Sequence, residues 1–316
     1  VSAERYARLG ARVLVGFAAA GATTLVLLGQ AGRTHHTLDQ LNALLAPLLV
    51  LLALLLAAAL RLRDRAVIAL AAVGLAVGGF QLGGAALQGW RDRAAASGPT
   101  VKIMTLSAYH ANPAPGTIRA AVAAQNPDIV VLQESNGNAA SVIAALLPGF
   151  QRIGSCKRPS CTQTMISRWP LRRMKVHYVG HAAQPDLLVA DVDAPFGRFR
   201  VASVHLPRPY EKHAKAFTRT LAAVARANAS VPLVMLGDFN TASGSFGLAQ
   251  FARDSRLRRR DGFIPTYPAN QIIPAFAGID HVFTDARWAG AGCRRTAAGH
   301  SDHYGVACRL VLRKTD

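Results

Sequence analysis

The chain has 316 residues, room for about two domains of ordinary size. Its 51% hydrophobic and 17% charged residues exclude a disordered chain, and 16 prolines with 27 glycines are too few for a collagen-like or low-complexity protein. The net charge of +19 is unevenly placed: residues 1–90 hold seven Lys and Arg against three Asp and Glu, and the remainder holds 29 against 14, so an apolar front precedes a charged, globular back.

Three uncharged stretches fill the front: Val13 to Gly32, Leu41 to Leu60 and Ala66 to Trp90. Each reaches the roughly 20 residues that cross a hydrocarbon core as a helix. A soluble bundle would show a polar stripe along each helix, and none is visible. A cleaved signal peptide needs only one apolar segment, and three are present. Residues 1–90 therefore read as a membrane domain with three transmembrane helices; two spans with one re-entrant or interfacial segment is the alternative. Arg5, Arg8 and Arg12 precede the first span, and Arg61, Arg63 and Arg65 lie between the second and third, whereas the first connection carries only Arg33. The positive-inside rule puts the N-terminus and the RLRDR loop in the cytoplasm and the C-terminal domain on the extracytoplasmic side of the cell membrane. Arg91 and Arg93 argue weakly against this orientation.

Residues 91–100, RDRAAASGPT, form a polar linker. From residue 101 to 316, strands and helices are mixed. VKIMTL reads as a strand, TIRAAVAAQN as a helix and DIVVLQE as a buried strand. TMISR, MKVHYVG, LLVADVD, FRVASVHL, VPLVMLGDF, IDHVFTD and HYGVACRLVL are further strands, and an amphipathic helix is expected over roughly Tyr210 to Asn228. Many strands with few helices suit packed sheets with helices outside, an α/β class. All four cysteines lie in this domain, which suits disulfides in an oxidising compartment. Cys156 with Cys161 and Cys293 with Cys308 are the expected pairs, against the alternative of four reduced thiols; the spacings do not suit zinc.

Polar residues gather where strands end. Glu134 follows VVLQ, His205 ends VASVH, Asp238 and Asn240 follow LVMLG, and Asp280 with His281 and Asp302 with His303 open later strands. Carboxylates suit a hard cation such as Mg²⁺. A His paired with an Asp is a positioned charge, and an amide bonds a phosphoryl oxygen.

The ordered set LQE, SVHL, GDFN, IDHVF and SDHYGV, with supporting ISRWPL and TYPA segments, resembles the endonuclease/exonuclease/phosphatase superfamily over about residues 100–313. The resemblance implies a four-layer sandwich of two β-sheets flanked by helices, with the site at one end. It implies Glu134 as the principal Mg²⁺ ligand (Mn²⁺ being admissible), with Asp302 helping to bind metal or order the site. Asp238 would orient or deprotonate the attacking water, Asn240 would hold the scissile phosphate, and His303, fixed by Asp280, would stabilise developing charge or assist the leaving group. His205 matches the deoxyribonuclease and sphingomyelinase branches. Ser107 stands where the family's first strand ordinarily ends in a metal-proximal asparagine, which makes it a third candidate at the metal beside Glu134 and Asp302, and Asn112 matches a second, less general asparagine.

The function these residues imply is hydrolysis of phosphodiester bonds by a membrane-anchored, Mg²⁺-dependent phosphoesterase. Its partners would be the lipid bilayer and an anionic phosphate ester, with nucleic acid slightly ahead of a phospholipid head group. The alternative is a catalytically weak phosphate- or lipid-binding module on a membrane anchor. The run RLRRR at 256–260 reads as a solvated basic surface or as a nucleic-acid contact. His110, His177, His181, His213 and His300 stand outside the motifs and read as surface or core residues. His281 reads as a packing or capping residue.

Overall fold

The structure, a computed structural model, describes residues 2–91, 97–114, 116–135, 150–157, 160–177, 187–208, 214–227 and 230–313. Three long helices open the chain: α1 (Ser2–Gln30), α2 (Leu45–Leu62) and α3 (Arg65–Arg91). They belong to segments long and apolar enough to cross a membrane, Ala3–Arg33, His36–Leu62 and Arg65–Gly89. Small residues let them approach: a Cβ on Gly74 would strike Thr23 and Leu52, and one on Gly78 would meet Leu49 and Val26. Val26, Leu45, Leu48 and Leu52 form the interior. Phe17, Leu54 and Phe80 point outward, 77%, 65% and 86% exposed, an outer surface suited to hydrocarbon rather than water. Arg12 donates to the Leu62 carbonyl and Gln30 bonds Gln81, so α1 starts beside the α2–α3 turn and ends beside the latter half of α3.

The globular part contains, among the described residues, two six-stranded sheets. The first is built from β1 (Thr100–Ser107), β2 (Ile129–Gln133), β3 (Gln151–Lys157), β4 (Ser160–Ser167), β11 (Trp288–Arg295) and β12 (Val306–Leu312), in the order β11-β12-β1-β2-β4-β3. The second uses β5 (Leu171–His177), β6 (Leu187–Ala194), β7 (Gly197–His205), β8 (Leu233–Asp238), β9 (Arg258–Arg259) and β10 (Asp280–Thr284), in the order β5-β6-β7-β8-β10-β9. Each sheet has one parallel pair, β1 with β2 and β7 with β8, and its other pairs are antiparallel. A parallel pair needs a crossover. Helices α4 (Gly116–Ala123) and α5 (Ala214–Ala227) supply the two crossovers. The expected helix from Tyr210 is described only over that last range.

Both faces of the central strands are buried, which is why they read as unbroken apolar runs. Val101, Ile103, Val131, Leu188, Val201 and Leu236 pack between the sheets. Met104, Leu106 and Val130 turn to Ile118 and Val122 of α4. Leu187, Val204 and Met235 turn to Leu221 of α5 and Phe251 of α6 (Phe246–Ser255). The result is helix, sheet, sheet, helix: a four-layer sandwich.

Four elements had no distinct sequence signal. β3 and β11 interrupt their apolar residues with Gly and Arg, and β9 has two residues. β11 is tied to β12 by a disulfide between Cys293 and Cys308, register partners across the pair. Cys156 and Cys161 are also register partners, on β3 and β4, but their side chains lie outside the described residues. Helix α6 follows a Ser- and Gly-rich turn, and part of its N-terminal capping comes from far away in the chain. Asp39, in the α1–α2 connection, accepts from Phe246 N at 2.9 Å and Gly247 N at 2.8 Å, and bonds the Ser245 hydroxyl. Gln81 of α3 donates to the Gly244 carbonyl, and the Arg259 guanidinium bridges the Ala85 and Ser243 carbonyls. Arg259 and Arg260 are buried, so the RLRRR run is in part an internal anchor rather than a solvated face.

Candidate active site

The parallel pairs place the C-terminal ends of β1, β2, β7 and β8 at one end of the sandwich. Such ends are where α/β sheets receive ligands. In the second sheet His205, Asp238 and Asp280 form one register row across β7, β8 and β10. Gly237 sets up this row: its φ is +149°, and a Cβ there would collide with the Val204 carbonyl. In the first sheet Ser107 pairs with Gln133, and Glu134 follows with φ of 49°. A non-glycine residue in that region is uncommon and points to constraint at a site.

Distances tie the two sheets together. His205 Nε2 lies 3.7 Å from Glu134 Oε1 and 3.9 Å from Asp238 Oδ2. His303 Nδ1 lies 2.9 Å from Asp280 Oδ2, and its Nε2 lies 4.0 Å from Asp238 Oδ2. Asn240, with φ of 48°, donates its backbone N–H to Asp238 Oδ1 at 2.7 Å and its amide to the Leu206 carbonyl and Asp238 Oδ2. Asp302 is half-buried beside His303. Ser107 is buried, and its carbonyl accepts from Ser301 Oγ at 2.6 Å while that oxygen accepts from His303 N at 3.0 Å. The end of β1 thus braces the turn that carries Asp302 and His303. Asn112 donates to the Gly299 carbonyl and accepts from Ala114 N, so it serves the loop instead.

Sequence reasoning missed His110. Its Nδ1 is 2.8 Å from Glu134 Oε2, and its backbone N–H donates to the same oxygen at 3.1 Å. Its position three residues past the end of β1, a strand neighbouring β2, was the available signal. The Tyr267 ring, from TYPA, lies 5.2 Å from the His303 ring. His281 is buried between Asp261 and the Thr241 carbonyl, each 2.8 Å away.

The electrostatics separate the two strand-end histidines. Burial alone would lower His303, but Asp280 and Asp238 override it and push it up to about 10, so it is an imidazolium at neutral pH. Burial wins at His205 and holds it below the ordinary histidine value. Burial pushes Asp238 up to about 8 despite the His303 charge, and it also raises Asp302. Glu134 goes the other way: burial opposes ionisation, yet bonds from His110 and the nearby His205 keep it low.

Oxygen-rich donors of this kind suit a hard divalent cation. Asp238, Asp280 and His303 bring donor atoms within 4.8 Å of one another. Their mutual contacts engage them already, since His303 Nδ1 is committed to Asp280. The ionised Glu134, partly open to solvent, is the more available ligand. Burial raises the neighbouring carboxylates Asp238 and Asp302 above their ordinary values, a cost that a cation would relieve, so the residues fit a metal.

The model of the Endonuclease/Exonuclease/phosphatase family matches residues 104–303. The chain belongs to this family. Its members are hydrolases, nucleases and phosphatases among them, and generally depend on a divalent metal. Among solved structures, an endonuclease/exonuclease/phosphatase from Beutenbergia cavernae is 22% identical with a TM-score of 0.55, covering 68% of this chain and 72% of its own. A mannosyl-6-phosphatase from Bacteroides thetaiotaomicron is 14% identical (TM-score 0.57, 67% and 100% covered). TDP2 from D. rerio, complexed with a single-strand DNA product, is 13% identical (TM-score 0.56, 67% and 98% covered). At these identities the likeness establishes the fold. No curated protein matches the chain significantly.

Proposed function

We propose that the protein is a membrane-anchored, metal-dependent phosphoesterase that hydrolyses phosphodiester bonds by in-line attack of water. The observation that carries this reading is the convergence of Glu134, His205, Asp238, Asn240, Asp280 and His303 from two sheets on one end of the sandwich. Glu134 would hold Mg²⁺ or Mn²⁺, with Asp302 as the neighbouring carboxylate and Ser107 as a buried support for the turn. When bound, the metal supplies charge neutralisation at the phosphate.

The chain's own residues divide the remaining work. Asp238, which burial raises above the ordinary carboxylate range, takes the proton of the attacking water from its ionised form; a base is most effective when its pKa lies near the working pH. Asn240 would turn one amide N–H from Asp238 Oδ2 to a phosphoryl oxygen. His303 keeps its Nδ1 proton on Asp280, which leaves the Nε2 proton to stabilise developing negative charge or to pass to the leaving oxygen. His205, mostly neutral, spans Glu134 and Asp238 and keeps the two carboxylates apart. The same fold serves a sugar phosphatase and a protein holding a DNA product, so fold alone leaves the ester open.

Membrane anchorage rests on the three apolar helices and their exposed apolar side chains. The extracytoplasmic orientation rests on the arginine bias, together with the α1–α2 connection lying against the catalytic domain at the end away from Arg61, Arg63 and Arg65. The full chain in detergent, stripped with EDTA, is expected to hydrolyse bis(4-nitrophenyl) phosphate only after Mg²⁺ or Mn²⁺ is restored. Glu134→Gln should require more metal, and His303→Ala should lower turnover by at least about 10²-fold at unchanged metal affinity. A wild-type chain inert toward this ester, plasmid DNA and phospholipid alike would leave a binding module.

A further inference from the structure

A half-open apolar cavity of about 120 Å³ lies between the α1–α2 connection and the catalytic end of the second sheet. Ala43 closes it from the membrane-helix side, Leu206, Phe239, Phe251 and Ile279 wall it from the catalytic domain, and Asn240 belongs to the same wall. A second, wider groove of about 910 Å³ runs between α3 and α6 and shares Ser245 and Leu248 with the cavity. Phe80, Gly83 and Gly84 line that groove from α3, and a Cβ on either glycine would meet nothing within 4 Å.

We propose that the cavity receives the carbons adjoining the phosphate of a membrane lipid, so that the substrate of this site is a bilayer-resident phosphodiester. The inference rests on the phosphoesterase reading above and narrows its substrate class. Apolar cavities of about 150 Å³ stay dry and bind a molecule the size of benzene. This cavity is slightly smaller, so it accepts the first few carbons beside the phosphate and leaves the rest of the chain to the bilayer. Its position agrees: His36, on its lip, opens an apolar segment of 27 residues, and Asn240, to which the phosphoesterase reading gives the scissile phosphate, belongs to its wall. A nucleic acid would need stacking surfaces, polar base-edge partners and basic side chains along its backbone. The cavity walls are chiefly aliphatic and phenyl groups, and two arginines of the RLRRR run are buried elsewhere.

The test uses the full-length chain in vesicles of dioleoyl phosphatidylcholine and phosphatidylglycerol, with dibutanoyl analogues and bis(4-nitrophenyl) phosphate as soluble references. Both esters offer the cavity the same first carbons, so residence in the bilayer is what separates them, and at least about tenfold higher kcat/KM is expected for the long-chain lipid over its short analogue. Ala43→Trp fills the cavity from the connection, and the ratio of long-chain to aryl-ester turnover should fall at least tenfold. Independently of turnover, a phospholipid with a diazirine near its carbonyl carbons should cross-link to residues 206–207 and 239–251. A wild-type ratio near one, a ratio unmoved by Ala43→Trp, or plasmid DNA cleaved faster than either lipid overturns the proposal. Labelling confined to the outward faces of α1–α3 does the same. If no ester is hydrolysed at all, the phosphoesterase reading fails while the cross-linking still decides whether the cavity holds lipid.

Discussion

Replacing Asp39 tests whether the helical front is part of the catalytic fold or merely a tether. Its carboxylate accepts from Phe246 N, Gly247 N and, at 2.7 Å, the Asn42 side-chain amide, and it bonds the Ser245 hydroxyl, all in a buried setting. Hydrogen bonds to a charged group contribute about 1.5–3 kcal/mol each, and loss of a helix N-cap typically costs ~1 kcal/mol. These do not simply add, because Ser245 Oγ still accepts from Gly247 N at 3.1 Å after the change. Asp39→Ala should therefore cost about 3 kcal/mol, or about 10²-fold in local opening at 1.4 kcal/mol per tenfold. Hydrogen exchange of the Phe246 and Gly247 amides reads this directly in the detergent-solubilised chain. Protection at both should fall by about that factor while the β7–β8 amides stay protected. Asp39→Asn, which keeps one acceptor oxygen, should fall between. Unchanged protection in Asp39→Ala would mean that the contact carries no energy and that the front is only a tether.

His303 sets a pH dependence whose sign is fixed. Its folded pKa, raised from 6.5 to about 10, gives stability that is complete below 6.5 and lost as pH climbs through 10. Melting of the metal-stripped protein should decline over that window, Asp280→Asn should move the decline to lower pH, and an identical slope in His303→Gln would refute the assignment. The Cys293–Cys308 bridge closes a separation of 15 residues, for which about 3 kcal/mol is expected; reduction that leaves the melting temperature unchanged would discard it as a staple. Alkaline phosphatase fused after Asp316 should be active and green fluorescent protein there dark, and the reverse pattern would invert the orientation.

Strand-end chemistry was legible because it is local: a run of apolar residues stopping at Glu134 or Asp238 tells of a strand and of what stands at its end. Pairing was less legible. His205, Asp238 and Asp280 share a register row, but that follows from one parallel and one antiparallel neighbour, and no short window contains those directions. His110 escaped for a related reason, since its partner lies 24 residues on, across a crossover helix. β11 escaped because WAGAGCRR lacks alternation and gains its place from β12 and a disulfide.

Most concealed was the meeting of the helical front with the sandwich. In sequence Asp39 is one acid between two apolar runs, and Arg259 is one arginine among several. In the structure Asp39 caps a helix more than 200 residues away, and Arg259 spends its charge on carbonyls of Ala85 and Ser243. A composition argument assigns such residues to loops and basic surfaces because it counts charges without their partners. Buried charges are tolerated only where polar groups meet them. Those two residues therefore mark where the apolar helices press against the turn that follows Asn240, and there the helical front and the candidate site share a wall.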